Sequence, residues 1–322
     1  MKYRLIVILS LIVSIVLSGC TTDNSSTEAD KHVPHLHKWG IYCLDVTTEN
    51  ISMLYSTDDE ISTLRLNSQG DCFVFSQYIN GTDYEYTEIC TIHTDGTHFQ
   101  RLTNNTWWDV YPTWSPDGER IAYLSYPEDT LSIFMMRKDG ADQKKFYDSG
   151  SHDADIHWVG NVLVFTSESC IWKINVDTRN VTQLTHPPNA GVWGVANLPF
   201  GDYDPNISPD GAWIAFERLE NDENIHGNYN IFIISSNGSE ETRLTHTNYS
   251  QGLPTWSHDG RQILYIVAAI NDKGIYDLYL MNADGTGNRN ITPGFVPDDF
   301  LCHAGVFSND DGSIYFIGEW WS

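Results

Sequence analysis

An all-β, six-bladed propeller of four-stranded blades is the fold this sequence predicts, on three observations. A seven-residue turn motif recurs along the chain, and a short apolar strand follows each copy. Each copy then leads into a second hairpin. Half of one repeat unit stands near each end of the chain. Self-similarity at a near-fixed period marks a repeat architecture, in which each unit buries its apolar faces only against its neighbours.

The first 36 residues lie outside that pattern. Lys2 and Arg4 precede an apolar run from Leu5 to Leu17, which ends in Leu17-Ser18-Gly19-Cys20. The run is shorter than the roughly 20 residues of a membrane span. It reads as an export signal over residues 1–20. The small residues before Cys20 resemble the lipobox of lipoprotein precursors, in which the cysteine is lipidated and opens the mature chain. Two acyl chains anchor stably where one does not. Residues 21–36 are polar and read as a flexible tether. His32, His35 and His37 in and beside it read as adventitious metal ligands at most. The remaining residues, 37–322, are long for an ordinary core but normal for one propeller.

The repeats then follow in order. Gly40 to Val46 and Asn50 to Leu54 match the later pair Ile171 to Val176 and Asn180 to Leu184. Pro112-Thr113-Trp114-Ser115-Pro116-Asp117-Gly118 recurs as Pro205-Asn206-Ile207-Ser208-Pro209-Asp210-Gly211 and Pro254-Thr255-Trp256-Ser257-His258-Asp259-Gly260. Weaker copies stand at Leu66 to Gly70, His157 to Gly160 and Phe307 to Gly312. In the turn, proline presets φ, aspartate bonds nearby backbone and glycine takes positive φ. A second Asp-Gly turn, such as Asp139-Gly140 or Asp284-Gly285, joins the third and fourth strands. The fourth strand usually ends in Leu-Thr or Ile-Thr, at Leu102-Thr103, Leu184-Thr185, Leu244-Thr245 and Ile291-Thr292. Five full blades run from about Leu64 to Thr292. The sixth has two strands at the C-terminal end, and the N-terminal strands are expected to complete it and remove the open sheet edges.

These repeats resemble those of the TolB-like propeller family, a relative of WD-type repeats, over roughly residues 40–322. The resemblance implies the fold strongly. It implies function weakly, because the fold hosts scaffolds, receptors and enzymes. The mode of action it implies is a peptide or protein docking at the propeller channel.

Acidic residues number 43 and basic residues 18, for a formal charge of −25. That charge repels nucleic acid and anionic headgroups, and suits a cationic partner or a soluble surface protein. Long connections, among them 187–204 with Trp193, fall on one face, where function usually sits. Just before the first strand of each blade stand Asp109, Asp153 with Asp155, Asp202 with Asp204, Gln251, and Asp299 with His303. Radial symmetry is expected to gather these acids at the channel mouth. There they would hold Ca²⁺ or another divalent cation through oxygen ligands, or a basic segment of a partner; the alternative is ordinary turn chemistry. Asp153, Asp155 and His157 alternate along a strand and are expected to share a face. Trp193 is a candidate rim residue for peptide or sugar.

The function this supports is a membrane-anchored, extracytoplasmic protein-binding scaffold or receptor, in a periplasm or at a cell surface. The alternative is a metal-dependent carbohydrate-active enzyme similar to the oligogalacturonate lyases. No Gly-x-Ser-x-Gly elbow is present. Cys72 and Cys90 read either as a cross-strand disulfide or as two free thiols. Sequons at Asn24, Asn50, Asn80, Asn104, Asn180, Asn206, Asn237, Asn248 and Asn290 are candidate glycan sites.

Overall fold

The computed structural model describes residues 37–79, 87–221, 227–247, 249–269, 275–292 and 300–321. Cys20, the tether with His32 and His35, Asp299, and the sequons at Asn24, Asn80 and Asn248 lie outside these residues. The described residues form six antiparallel four-stranded sheets and contain no helix. Blades 1 to 5 cover 61–101, 109–147, 153–183, 201–243 and 250–290 in chain order. Blade 6 has strand order Ile51–Thr57, His37–Asp45, Ser313–Trp321, Leu301–Phe307. The expected closure is therefore observed. His37–Asp45 pairs with Ser313–Trp321 in unbroken register from His37 opposite Trp321 to Asp45 opposite Ser313.

The repeated sequence signals map onto repeated hydrogen bonds. In the turn, Ser115 Oγ donates to Asp117 Oδ1 (2.6 Å) and accepts from the Arg120 amide (2.9 Å). Ser208 with Asp210, Ser257 with Asp259 and Ser308 with Asp310 repeat this. Asn67 takes the serine's place in blade 1, accepting from the Asp71 and Cys72 amides. The threonine of each Leu-Thr or Ile-Thr pair accepts a third-strand amide at 2.8–2.9 Å: Ile89, Ile171, Ile231 and Leu278. A hydroxyl there satisfies a buried amide that the short fourth strand leaves unpaired.

Apolar side chains fill each junction between blades. Trp108, Leu124, Ile156 and Phe165 join blades 2 and 3. Trp39, Ile41, Leu64, Phe73 and Ile317 join blades 6 and 1. Equivalent clusters occupy the other four junctions.

Two cysteine and glycan readings are settled here. Cys72 lies opposite His93, and Cys90 opposite Phe75, so the two thiols are not cross-strand partners; all five described cysteines are free. Asn206 is buried, and its Oδ1 accepts from the Trp256 amide, which closes that sequon to a glycan. Asn50, Asn104, Asn180, Asn237 and Asn290 are exposed.

Candidate binding site in the propeller channel

The first strand of every blade carries one extra residue relative to its neighbour, a β-bulge. In five blades the bulge places a non-glycine residue at φ of 51–54°: Thr63, Tyr111, Asp155, Asp204 and Leu253. Such conformations are costly for these residue types, and bulges commonly re-aim side chains beside functional sites. The freed bulge amides bond across blade boundaries. Tyr111 N–H reaches Ser76 Oγ at 3.1 Å, Asp204 N–H reaches Asp155 Oδ2 at 3.3 Å, and Leu253 N–H reaches Glu217 Oε2 at 3.0 Å.

Asp155, Asp204 and Glu217 thus meet deep in the channel, where they line a cavity of about 320 Å³. Leu131, Leu198, Pro199, Ile266 and Ala268 line it from the apolar side. A β-carbon on Gly252 would come within 2.0 Å of Glu217 Oε2, so glycine is what lets that carboxylate approach the next blade.

The three carboxyls interact strongly and hold protons more firmly than usual. Burial raises Asp155 to about 6, against the Asp204 amide and the Arg65 charge. Burial, then repulsion from Asp155, raises Glu217 to about 8. Asp204 is pushed well up by burial, then by Asp155 and Glu217. Such groups titrate as a set. Arg65 faces Asp155 and Asp204 electrostatically, but among the described residues no carboxylate lies within 4 Å of its guanidinium. Its Nη1 donates to the Leu64 carbonyl at 3.0 Å. His157 is driven down to about 3 by burial and then by Arg65. Its Nδ1 accepts from the Ile207 amide at 3.1 Å, which requires that nitrogen to be unprotonated.

Of the acids expected at the mouth, the structure brings Asp155, Asp204 and Asp153 to the cavity wall. Asp153 is fully buried, with Oδ1 accepting from Ser149 Oγ at 2.7 Å. Burial raises its carboxyl to about 7. Asp109 and Asp202 do not line the cavity. Asp109 accepts from Ser125 Oγ (2.5 Å) and Asn105 Nδ2 (2.6 Å), and Asp202 is clamped by Arg218 at 2.5 and 2.9 Å. Both bond to the second strand of their own blade. The bulge breaks the alternation between Ala154 and His157, so Asp153 and His157 do not share a face.

His303 lines the cavity but is engaged. Its Nε2 lies 2.7 Å from Glu319 Oε2, while His37 Nε2 lies 2.6 Å from Glu319 Oε1. His37 is therefore part of the propeller and not of the tether. Trp193 is 48 % exposed, with Val192 and Val195, on the loop whose Leu198 and Pro199 cover the cavity. Gln251, His152, Glu168 and the tyrosines 111, 203, 229 and 276 also stand in the polar wall. Among the described residues, no three His, Cys, Asp or Glu side chains are placed to ligate a metal ion.

Arg65 and Glu217 are absent from the sequence expectation. Aligning the copies on the turn puts Arg65, Thr113, His157, Asn206 and Thr255 in one column, immediately before Leu66, Trp114, Trp158, Ile207 and Trp256. That column carries the signal for Arg65. Glu217 stands on a second strand, where no repeat position marks it.

No family model matches the chain. It is 28 % identical over 243 residues to the Tol-Pal system protein TolB of Francisella tularensis, covering 74 % of this chain and 52 % of that protein. An uncharacterized protein of Agrobacterium fabrum is 24 % identical over 165 residues, 48 % of this chain and 53 % of its own length. The solved structure of a putative TolB from Agrobacterium tumefaciens superimposes with a TM-score of 0.67 at 16 % identity, over 89 % of this chain and 99 % of that one. This chain is a TolB-like propeller. TolB from Acinetobacter baumannii gives a TM-score of 0.60 at 17 % identity, over 79 % of this chain and 63 % of that one. The chain spans about half the length of the curated TolB proteins it matches.

The raised acids of this TolB-like channel make stability pH-dependent. A carboxyl held above its unfolded value contributes stability that is full below the unfolded value and is lost as pH rises through the folded one. For Glu217 that window runs from 4.5 to about 8. Glu217→Gln keeps an acceptor for the Leu253 amide and removes the charge. It is expected to match the parent at pH 4 and to exceed it by about 1–3 kcal/mol at pH 9, less than full linkage because the cavity admits water. Thermal melts across pH check this; an equal or lower midpoint for the variant at pH 9 contradicts it.

Proposed function

We propose that the chain is a membrane-anchored, extracytoplasmic scaffold that binds a protein partner at the channel mouth through a basic segment of that partner. The observation that carries this is the convergence of Asp155, Asp204 and Glu217 beneath a loop exposing Val192, Trp193 and Val195. Crowded carboxylates in a weakly screened site are relieved by an incoming cation. Exposed apolar residues clustered at a rim supply contact area. The relatives named for the Tol-Pal system support a protein partner and a periplasmic setting. Leu17-Ser18-Gly19-Cys20 supports the anchor, with Cys20 as the lipidated residue.

The test is calorimetry of the chain from residue 21 with lysine- and arginine-rich peptides against acidic peptides of equal length. Basic peptides are expected to bind and to weaken as salt rises, with Asp155→Asn/Asp204→Asn reducing affinity at least tenfold. No binding of basic peptides, or an unaffected double variant, overturns the reading. In the full-length precursor, Cys20→Ser is expected to leave the membrane fraction; if it stays, the anchor is not at Cys20.

A further inference from the structure

The cavity beneath the mouth is lined by four residues with a buried polar atom that has no hydrogen-bond partner among the described residues: Asp153, Gln251 and, through their hydroxyls, Tyr229 and Tyr276. Asp153 is fully buried and Gln251 is 2 % exposed, both line the cavity, and Asp153 Oδ2 and Gln251 Oε1 have no hydrogen-bond partner among the described residues. Buried acceptors are normally satisfied, so these two, with the carboxylates of Asp155, Asp204 and Glu217, call for a donor-rich guest. Among the described residues, no lysine or arginine lines the cavity. The side chains that do include four tyrosines, whose rings attract cations. Leu131, Leu198, Pro199, Ile266 and Ala268 also line the cavity and offer contact area to an apolar body. The volume, about 320 Å³, is at the small end for ligand pockets.

We propose that this cavity binds a small organic monocation, an ammonium or guanidinium group carried on an apolar body. The charged head sits among Asp155, Asp204 and Glu217, and the body lies against Leu198, Pro199 and Ile266. An ammonium brings three donors and a guanidinium five, enough to reach Asp153 or Gln251 as well. A diamine has a second charge to desolvate and little apolar surface to lay against the five apolar side chains, so the monocation is favoured. This deepens the reading of the channel mouth as the binding face and rests on it. The same head group arrives either as a free amine or as the side chain of a lysine or arginine in a peptide.

Calorimetry at pH 8 in low salt tests this with 2-phenylethylamine, 2-phenylethanol, 3-phenylpropanoate, 1,5-diaminopentane and a blocked Gly-Lys-Gly peptide. Phenylethylamine is expected to bind at least tenfold more tightly than the alcohol, the anion or the diamine. Glu217→Gln and Asp155→Asn, shown to be folded by thermal melts, are each expected to weaken it about tenfold. If the alcohol binds as well as the amine, or if no amine binds at concentrations of about 10 mM, the proposal falls. Equal binding of the blocked peptide and the free amine supports a basic side chain as the natural guest, and preference for the free amine supports a small molecule. Long basic peptides binding while phenylethylamine does not overturns the cavity proposal and leaves the scaffold reading standing. The reverse result overturns the basic-segment reading and leaves the cavity proposal standing.

Discussion

Deleting residues 37–57 from the chain that begins at residue 21 is expected to abolish the soluble monomer. The segment supplies two of the four strands of blade 6, including the outer partner of Ser313–Trp321 along nine residues. It also buries Trp39, Ile41 and Leu44, each at 2 % exposure or less, in the junctions on both sides of the blade. Burying side chains of this size contributes about 1.5–3 kcal/mol each. Losing all three removes an amount comparable with the whole stability of a typical domain, about 5–15 kcal/mol. The deletion also bares a nine-residue edge strand, a template for association between chains. A milder probe is Ile41→Ala, expected to cost about 2–5 kcal/mol. Light scattering and denaturant melts decide the matter. A truncated chain that stays monomeric with an unchanged midpoint would show that the ring does not depend on this closure.

That closure was legible because two half-units of one pattern stood near opposite ends of the sequence. The turns were legible for a local reason: serine, aspartate and glycine at fixed offsets bond within seven residues of one another, and the structure repeats those bonds in four blades. The site was only partly legible, because its geometry hangs on the bulge. In a regular strand Asp153, Asp155 and His157 would share one face. One inserted residue turns Asp155 and His157 toward Arg65 and leaves Asp153 with Ser149. Nothing in the composition of Asp153-Ala154-Asp155-Ile156-His157 marks the extra residue, which shows only as a slip against the neighbouring strand. Asp109 and Asp202 stand at the expected place but bond within their own blades, to Ser125 and Arg218. Glu217 was invisible for another reason. Its partner, the Leu253 amide, lies 36 residues away in the next blade, and the small Gly252 that admits it carries no acid/base signature.

Arg218→Met is expected to destabilise the protein by about 3–5 kcal/mol, the cost of leaving one member of a buried ion pair without its partner. Arg218 Nε and Nη2 bond Asp202 Oδ1 and Oδ2 at 2.5 and 2.9 Å, and Nη1 and Nη2 bond Glu241 at 2.7 and 2.8 Å. The guanidinium also lies 4.5 Å from the centre of the Phe232 ring. Asp202 is fully buried; burial already pushes its carboxyl up, and Arg218 is the main influence opposing that rise. Methionine retains much of the apolar stem, so the loss falls mainly on the charge. Without arginine, Asp202 must either stay ionised in an apolar junction or take up a proton. The penalty should therefore shrink as pH falls, since protonation removes the uncompensated charge. Asp202→Asn/Arg218→Met is expected to recover at least half of the loss at pH 8, because the amide carries no charge to desolvate. Urea melts of the parent, both single variants and the double variant at pH 5 and pH 8 give the coupling directly. Additive single-variant effects, or a cost for Arg218→Met that does not change with pH, would show that Asp202 draws its stability from some group other than Arg218.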